Sequence, residues 1–363
     1  MNTDIKFMDR ALALARRGMG RTSPNPMVGC VIVKNGRVIA EGYHHYHGGD
    51  HAEVDALKKA GAKAKGALMY VTLEPCAHWG KTPPCVDALI MARISKVVIA
   101  MKDPNPLTNG ASIRKLRSKG IKVVVGVGEA EALLMNAPFI KHVKTRMPYV
   151  VVKTAQTMDG KAGTRSGRIK WITAEITRRG AALRRDGFDA IVVGVNTVLA
   201  DDPGLNAPNK RLIKVVVDAT LRTPSHARIF EGMDPGQVIM ATTRKASPEQ
   251  MAALLKRGAM IMFFGFKAGG VDLKALFKAL AKSGLIRILV EGGPRLGSAV
   301  IKAGLADQMQ IYIAPWVMGP EIKDAVKGID VAGLIKKDKL DILSVERMGK
   351  DIFIEANYVH RHR

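Results

Sequence analysis

The sequence predicts two consecutive α/β domains, and three observations carry that reading. The chain has 363 residues, and at roughly 150 residues per domain such a length divides into two. Apolar β-like runs alternate with helical stretches along its whole extent, the pattern of sheets with buried parallel strands. The alternation breaks once, at 136–148, where Pro138, Lys141, Lys144, Arg146 and Pro148 sit in a stretch of weak periodicity. A boundary there gives domains 1–146 and 147–363.

The elements follow in order. The opening stretch MNTDIKFMDRALALARRG reads as an amphipathic helix; it carries Asp4 and Asp9 and lacks the apolar core and cleavage site of a secretory signal. The β-like runs 28–33 and 37–43 flank Asn35-Gly36, a strong hairpin signal. A helix from His51 to about 62, a strand at 68–73, a helix near 85–92, a strand at 96–100, a helix near 111–119 and a strand at 121–125 complete the first domain. In the second, strands are expected at 149–154, 189–194, 213–218, 237–242, 259–264, 286–290 and 309–314, with a closing hairpin at about 340–357.

Composition narrows the function. Hydrophobic residues at 47% and charged residues at 25% exclude a disordered or collagen-like chain. Three cysteines cannot build a disulfide framework, so a reducing compartment, the cytoplasm, is expected. No apolar run approaches the roughly 18 residues of a membrane helix, and no membrane partner is expected. The net charge is +25, split as +12 before residue 147 and +13 after it. An excess spread so evenly reads as a solvated basic surface on an enzyme with anionic small-molecule ligands, with no nucleic-acid partner.

One constellation carries chemistry. His51-Ala52-Glu53 opens a helix, Pro75-Cys76 follows the strand LMYVTLE, and Cys85 follows Pro83-Pro84. This is the ligand set of zinc deaminases acting on nucleobases. One imidazole and two thiolates give zinc three ligands and leave the fourth position open. Glu53, two residues from a ligand, is free to shuttle protons. His51 is placed at one helix N-terminus, and Cys76 with Cys85 at another. Cys30, inside an apolar strand, reads as packing.

The gap between Cys76 and Cys85 is wider than the usual two residues. The stretch from Thr72 to Cys85 closely resembles the motif of the riboflavin-biosynthesis deaminases, as do Thr22-Ser-Pro-Asn25-Pro-Met-Val-Gly29 and Asp103-Pro-Asn-Pro106. The resemblance implies a cytidine-deaminase-like three-layer α/β/α domain. Its substrate is a diaminopyrimidinone bearing a ribosylamino 5-phosphate, with His51, Cys76 and Cys85 on zinc, Glu53 as shuttle and Asn25 against the pyrimidine. Asn109-Gly-Ala-Ser replaces two spaced glycines usual in the family.

The resemblance continues past residue 146. Lys153-Thr-Ala155 with Met158-Asp159-Gly160, Lys170-Trp171-Ile-Thr173, Thr197-Val-Leu-Ala-Asp201-Asp202-Pro203, and Glu291-Gly292-Gly293 resemble the reductase half of the bifunctional family members. That half is a dihydrofolate-reductase-like α/β domain using NADPH. A strand running into Gly292-Gly293-Pro294 and a helix also suits a phosphate on physical grounds, with Arg295 adding charge. The resemblance places Ala155, Trp171, Thr197, Asp201 and the run Gly293, Pro294, Arg295, Leu296, Gly297, Ser298, Ala299 at NADPH. It places Arg185, Leu205 and Glu291 at the substrate. Two positions depart from it: Ile169 stands for a serine and Pro208 for an arginine, so Arg168, Lys170, Lys210 or Arg211 must compensate or the reductase is weakened. A homo-oligomer, dimer or tetramer, is expected. The alternatives are a deaminase whose second domain is impaired or only senses nucleotide, and a tRNA deaminase with a basic accessory domain.

Overall fold

A computed structural model of the chain describes residues 3–77, 79, 84–106, 108–162, 171–319, 324–326 and 340–359. The chain divides into two compact units, Met1–Met147 and Pro148–Arg363.

In the first unit the order is α1 (Thr3–Arg16), β1 (Gly29–Lys34), β2 (Arg37–Tyr43), α2 (Ala52–Ala60), β3 (Leu68–Leu73), α3 (Cys85–Met91), β4 (Lys96–Met101), α4 (Ala111–Ser118), β5 (Lys122–Val125), α5 (Glu129–Met135) and α6 (Ala137–Thr145). Asn35 and Gly36, both at positive φ, close the β1–β2 hairpin. The sheet order is β2-β1-β3-β4-β5, antiparallel up to β3 and parallel beyond. Its central strands are almost wholly apolar and buried because helices cover both faces.

Two glycines set how closely those helices lie. A Cβ on Gly29 would meet the Ala11 carbonyl oxygen of α1 at 2.0 Å, and one on Gly42 would meet the Ala52 oxygen of α2 at 2.4 Å. Gly42 pairs with Cys30, the neighbour of Gly29, so the two glycines face opposite sides of the sheet. The layers are therefore α1 with α5, the sheet, and α2 with α3 and α4. Gly42→Ala is expected to push α2 off the sheet, at a cost of about 1–3 kcal/mol. Because α2 begins beside His51, metal affinity should fall along with the melting temperature. Thermal unfolding and metal content, measured on one preparation, check both.

One expectation needs correction. The stretch 136–148, read as an irregular connection, contains α6. Pro138 sits in its first turn, where the missing N–H costs nothing, and the apolar face of α6 is short, only Phe139, Ile140 and Val143, each half-buried. Asn136 ahead of it is buried and holds the Met27 backbone by two hydrogen bonds of 2.9 and 3.0 Å.

The second unit runs β6 (Tyr149–Thr157), α7 (Glu175–Arg184), β7 (Ala190–Gly194), α8 (Val195–Asp201), β8 (Ile213–Val217), β9 (Val238–Thr242), α9 (Pro248–Lys256), β10 (Met260–Phe263), β11 (Phe266–Lys267), β12 (Gly270–Val271), α10 (Leu273–Lys282), β13 (Arg287–Val290), α11 (Pro294–Lys302), β14 (Gln308–Ala314), β15 (Leu340–Met348) and β16 (Asp351–Tyr358). Nine strands form one sheet in the order β10-β9-β8-β7-β13-β6-β14-β16-β15. It is parallel from β10 to β14, and the closing hairpin joins antiparallel. The carboxyl ends of β6, β7 and β13 share one edge, where parallel α/β sheets bind ligands.

Candidate active sites

In the first unit, the hairpin, α2 and the end of β3 meet at a pocket. His51 is the extended residue that precedes α2, and Glu53 is the second residue of that helix, 3% exposed. Cys85 is the first residue of α3. Cys76 lies in the segment after β3 and not at a helix start, which corrects the expected placement. The Cys85 backbone N–H donates to its sulfur at 3.2 Å. His51 Nδ1 lies 3.0 Å from Cys85 Sγ and 3.7 Å from Cys76 Sγ, and all three donors fall within 4.8 Å of one another. Zinc bonds of about 2.0 Å to nitrogen and 2.3 Å to sulfur, set tetrahedrally, need donors about 3.5–3.8 Å apart. The set fits zinc, with one nitrogen, two sulfurs and a position left toward the pocket.

The charges agree. The Cys85 thiol hydrogen-bonds to Cys76 and, with the His51 ring, pulls Cys76 well below an ordinary thiol against the effect of burial. The same hydrogen bond to Cys76 and burial push Cys85 up. Burial raises the Glu53 carboxyl to about 7, with His51 opposing. A carboxyl so placed holds or releases a proton near neutral pH.

The pocket wall also holds Asn25, His44, Glu74, Asp103 and Asn105. Buried Glu74 ties the wall together: its carboxylate accepts from the Gly110 backbone at 2.9 Å, the Asp103 backbone at 3.3 Å and the Ser112 hydroxyl at 2.7 Å. Sequence reasoning missed His44. It sits in an unremarkable His-rich stretch, and only its position facing Asn25 distinguishes it.

In the second unit a buried charge cluster lies at the carboxyl edge. Glu291, directly after β13, accepts from Arg185 at 2.9 Å through both oxygens and from Lys153 at 3.1 Å. Burial alone raises a carboxyl, but the two cations outweigh it and hold Glu291 down at about 2. Arg185 also donates to the carbonyl of Asn206 at 3.0 Å, the residue after Leu205, which is buried at φ +52°. Ala155 lies two residues past Lys153 on the same face of β6.

At the same edge α8 and α11 both begin. The Gly293 amide donates to the Thr197 hydroxyl at 3.0 Å, and no side chain caps α11. Two helix starts, led by Gly194 and Gly293, give amides and dipoles that fit the phosphates of a dinucleotide. Arg295 is exposed on the first turn of α11, whereas Leu296, Gly297 and Ser298 are buried beneath it. Asp201 is one turn beyond Thr197 on exposed α8 surface. Trp171 is exposed, with the Arg178 guanidinium 4.7 Å from its ring centre.

The compensating cations expected near Pro208 are not where the sequence put them. Lys210 lies beside Asp189, Asp186 and Arg287, at the opposite end of the strands, and Arg211 pairs with Asp234. Ile169, Arg168 and Lys170 lie outside the described residues. Lys214 of β8, unnoticed in the sequence, is the cation next to the cluster. It is 1% exposed, donates to Asn206 at 2.8 Å, and is lowered to about 8 by burial and then by Arg185.

A nucleobase-deaminase fold around a zinc-type donor set, followed by a parallel sheet with a dinucleotide-type edge, defines a two-domain deaminase–reductase. The comparisons make this specific. The cytidine and deoxycytidylate deaminase zinc-binding region matches residues 1–101, and the RibD C-terminal domain matches 148–354. The riboflavin biosynthesis protein RibD of Aquifex aeolicus is 39% identical over 97% of both chains, and that of Escherichia coli K12 is 39% identical over 96% of this chain and 98% of its own. The solved structure of Acinetobacter baumannii RibD superposes with a TM-score of 0.87 at 36% identity, covering 99% of each chain. The diaminohydroxyphosphoribosylaminopyrimidine deaminase/5-amino-6-(5-phosphoribosylamino)uracil reductase of Thermotoga maritima does so with 0.85 at 33%, covering 98% and 99%. The chain belongs to the RibD family, the bifunctional zinc deaminases and NADPH-using reductases of riboflavin biosynthesis. Its basic second unit is thus a reductase domain, not an RNA-binding accessory. No helix among the described residues is long and apolar enough to cross a membrane.

Proposed function

We propose that the first unit deaminates 2,5-diamino-6-(5-phosphoribosylamino)pyrimidin-4-one and that the second reduces the ribosyl group of the product to ribityl. The observation that carries the first half is Glu53, buried beside three converging metal donors in a pocket lined by Asn25. Zinc, when bound by His51, Cys76 and Cys85, supplies the Lewis acidity that makes water nucleophilic at neutral pH. Glu53 takes the proton of the attacking water, passes it to a ring nitrogen, and delivers a proton to the departing amine. Asn25 orients the ring.

In the second unit, NADPH, when bound, supplies a hydride. The Arg295 amide and the Thr197 hydroxyl hold its phosphates, and Ala155, Trp171, Asp201, Gly293 and the rest of 294–299 line its site. Arg185, Leu205 and Glu291 meet the substrate, and Lys214 adds positive charge behind Arg185 where Pro208 supplies none. The sugar is reduced at C1′ in its ring-opened imine form. We place the enzyme in the cytoplasm as a homo-oligomer.

A coupled assay on the diaminopyrimidinone phosphate tests both halves, with ammonia release and NADPH absorbance followed separately. Absence of ammonia release from zinc-loaded protein rejects the deaminase assignment. Stripping the metal with a chelator is expected to abolish ammonia release, to leave NADPH oxidation on the deaminated intermediate unchanged, and to be reversed by zinc. Loss of both activities together would contradict the division of labour.

A further inference from the structure

His44 takes no part in the proton transfers above, yet it is 2% exposed in the wall of the deaminase pocket. Its two ring nitrogens have different partners. Nδ1 lies 2.9 Å from the carbonyl oxygen of Asp50, and Nε2 lies 3.1 Å from the Asn25 amide nitrogen. A carbonyl oxygen can only accept, so Nδ1 carries the hydrogen. A second hydrogen on Nε2 would point at the hydrogens of the Asn25 amide, so Nε2 presents its lone pair and the Asn25 NH2 donates to it. The reverse arrangement, with Asn25 Oδ1 toward the ring, would require His44 to carry both ring hydrogens, a charged imidazolium that 2% exposure disfavours.

The orientation of an asparagine amide is ordinarily ambiguous. Here a backbone carbonyl two links away decides it. With its nitrogen committed to His44, Asn25 keeps its oxygen for other partners, and Asn25 lines the pocket. The anchoring carbonyl belongs to the residue directly before His51, so the same backbone segment sets both the metal ligand and the amide.

We propose that the Asp50–His44–Asn25 relay makes Asn25 an obligate hydrogen-bond acceptor, so that His44 is a positioning residue and the pocket selects ligands presenting an N–H donor at that point. This rests on the deaminase reading above. A pyrimidinone with a ring N–H or an amino substituent supplies such a donor. A ring that offers only lone pairs or an N-methyl group there does not.

A double-mutant cycle tests the relay, with ammonia release as readout and metal content and melting temperature as controls. His44→Asn keeps a donor toward Asp50 but offers Asn25 no acceptor. It is expected to raise KM about tenfold, the effect of roughly one hydrogen bond, with kcat within about threefold. His44→Gln places an amide oxygen near the former Nε2 and is expected to recover most of the loss. In an Asn25→Ala background His44→Asn is expected to add nothing, because the group it positions is gone. Additive effects of the two substitutions, or a fall in kcat alone, overturn the proposal.

A second measurement needs no variant. Of two competitive pyrimidinone inhibitors differing only in methylation of one N–H, the unmethylated one should bind the wild-type chain about tenfold tighter. That preference should vanish in Asn25→Ala. If every N-methylated isomer binds as tightly as its parent, the proposal fails. A wild-type chain that releases no ammonia defeats the deaminase reading itself, whereas an active wild type with an additive cycle removes only the relay.

Discussion

Glu53→Gln should reduce ammonia release by about 10³-fold, within the range for removing one general acid–base group, while NADPH oxidation on the deaminated intermediate stays at its wild-type rate. The amide matches the carboxyl in volume and fills the same buried position at the start of α2, so the fold and the three metal donors are retained. What it cannot do is give up and regain a proton. Burial pushes the Glu53 carboxyl up to about 7, toward the range in which it can take up and release a proton. Metal content equal to wild type, together with the lost rate, separates proton transfer from metal binding. A variant that kept more than about a tenth of the wild-type rate would show that another group moves the proton.

The second large effect is expected at Glu291. Glu291→Leu leaves Arg185 and Lys153 at 16% and 18% side-chain exposure with their shared counter-charge removed. Breaking a buried pair by deleting one partner costs about 3–5 kcal/mol, so reductase activity and the stability of the second unit should fall together. Glu291→Gln keeps the shape and isolates the charge. The sign of its pH dependence follows from the carboxyl lying at about 2 in the folded chain against an ordinary 4.5. The stabilisation is complete above the ordinary value and disappears as pH falls from about 4.5 toward 2. The denaturant midpoint of wild type should therefore converge on that of Glu291→Gln over that interval. A gap between them that stays constant with pH would show that the charge of Glu291 does not stabilise the cluster.

How much of this was legible in the sequence differs from residue to residue. Zinc chemistry demands fixed residue types, and the chain presents them in a short span, so His51, Cys76, Cys85 and Glu53 could be read without a structure. The strands could also be read, because β3, β4, β7 and β13 are short apolar runs with little alternative. The helix α6 is easily missed, since its apolar face is only Phe139, Ile140 and Val143, half-buried and set among Pro138 and two lysines. His44 and Asn25 are 19 residues apart and meet only because the hairpin and the loop before it fold back on one pocket. Lys210 and Lys214 make the point most sharply. Three residues separate them, and both are basic and close to Pro208. Only the side-chain surroundings show that one lies beside Asp189 while the other reaches Asn206 beside Arg185.

Gly29 and Gly42 have a consequence that reaches beyond packing. They lie on neighbouring strands and face opposite ways, so the hairpin there is gripped between α1 and α2 with no side chain as padding on either side. A contact without padding has no slack. The first helix touches none of the metal donors, yet its Ala11 and Ala15 form one jaw of a vice whose other jaw begins next to His51. Both alanines are fully buried, so a larger side chain at either would push α1 off that close contact. Packing on the far side of the sheet thus shares in setting the hairpin that leads toward the metal centre.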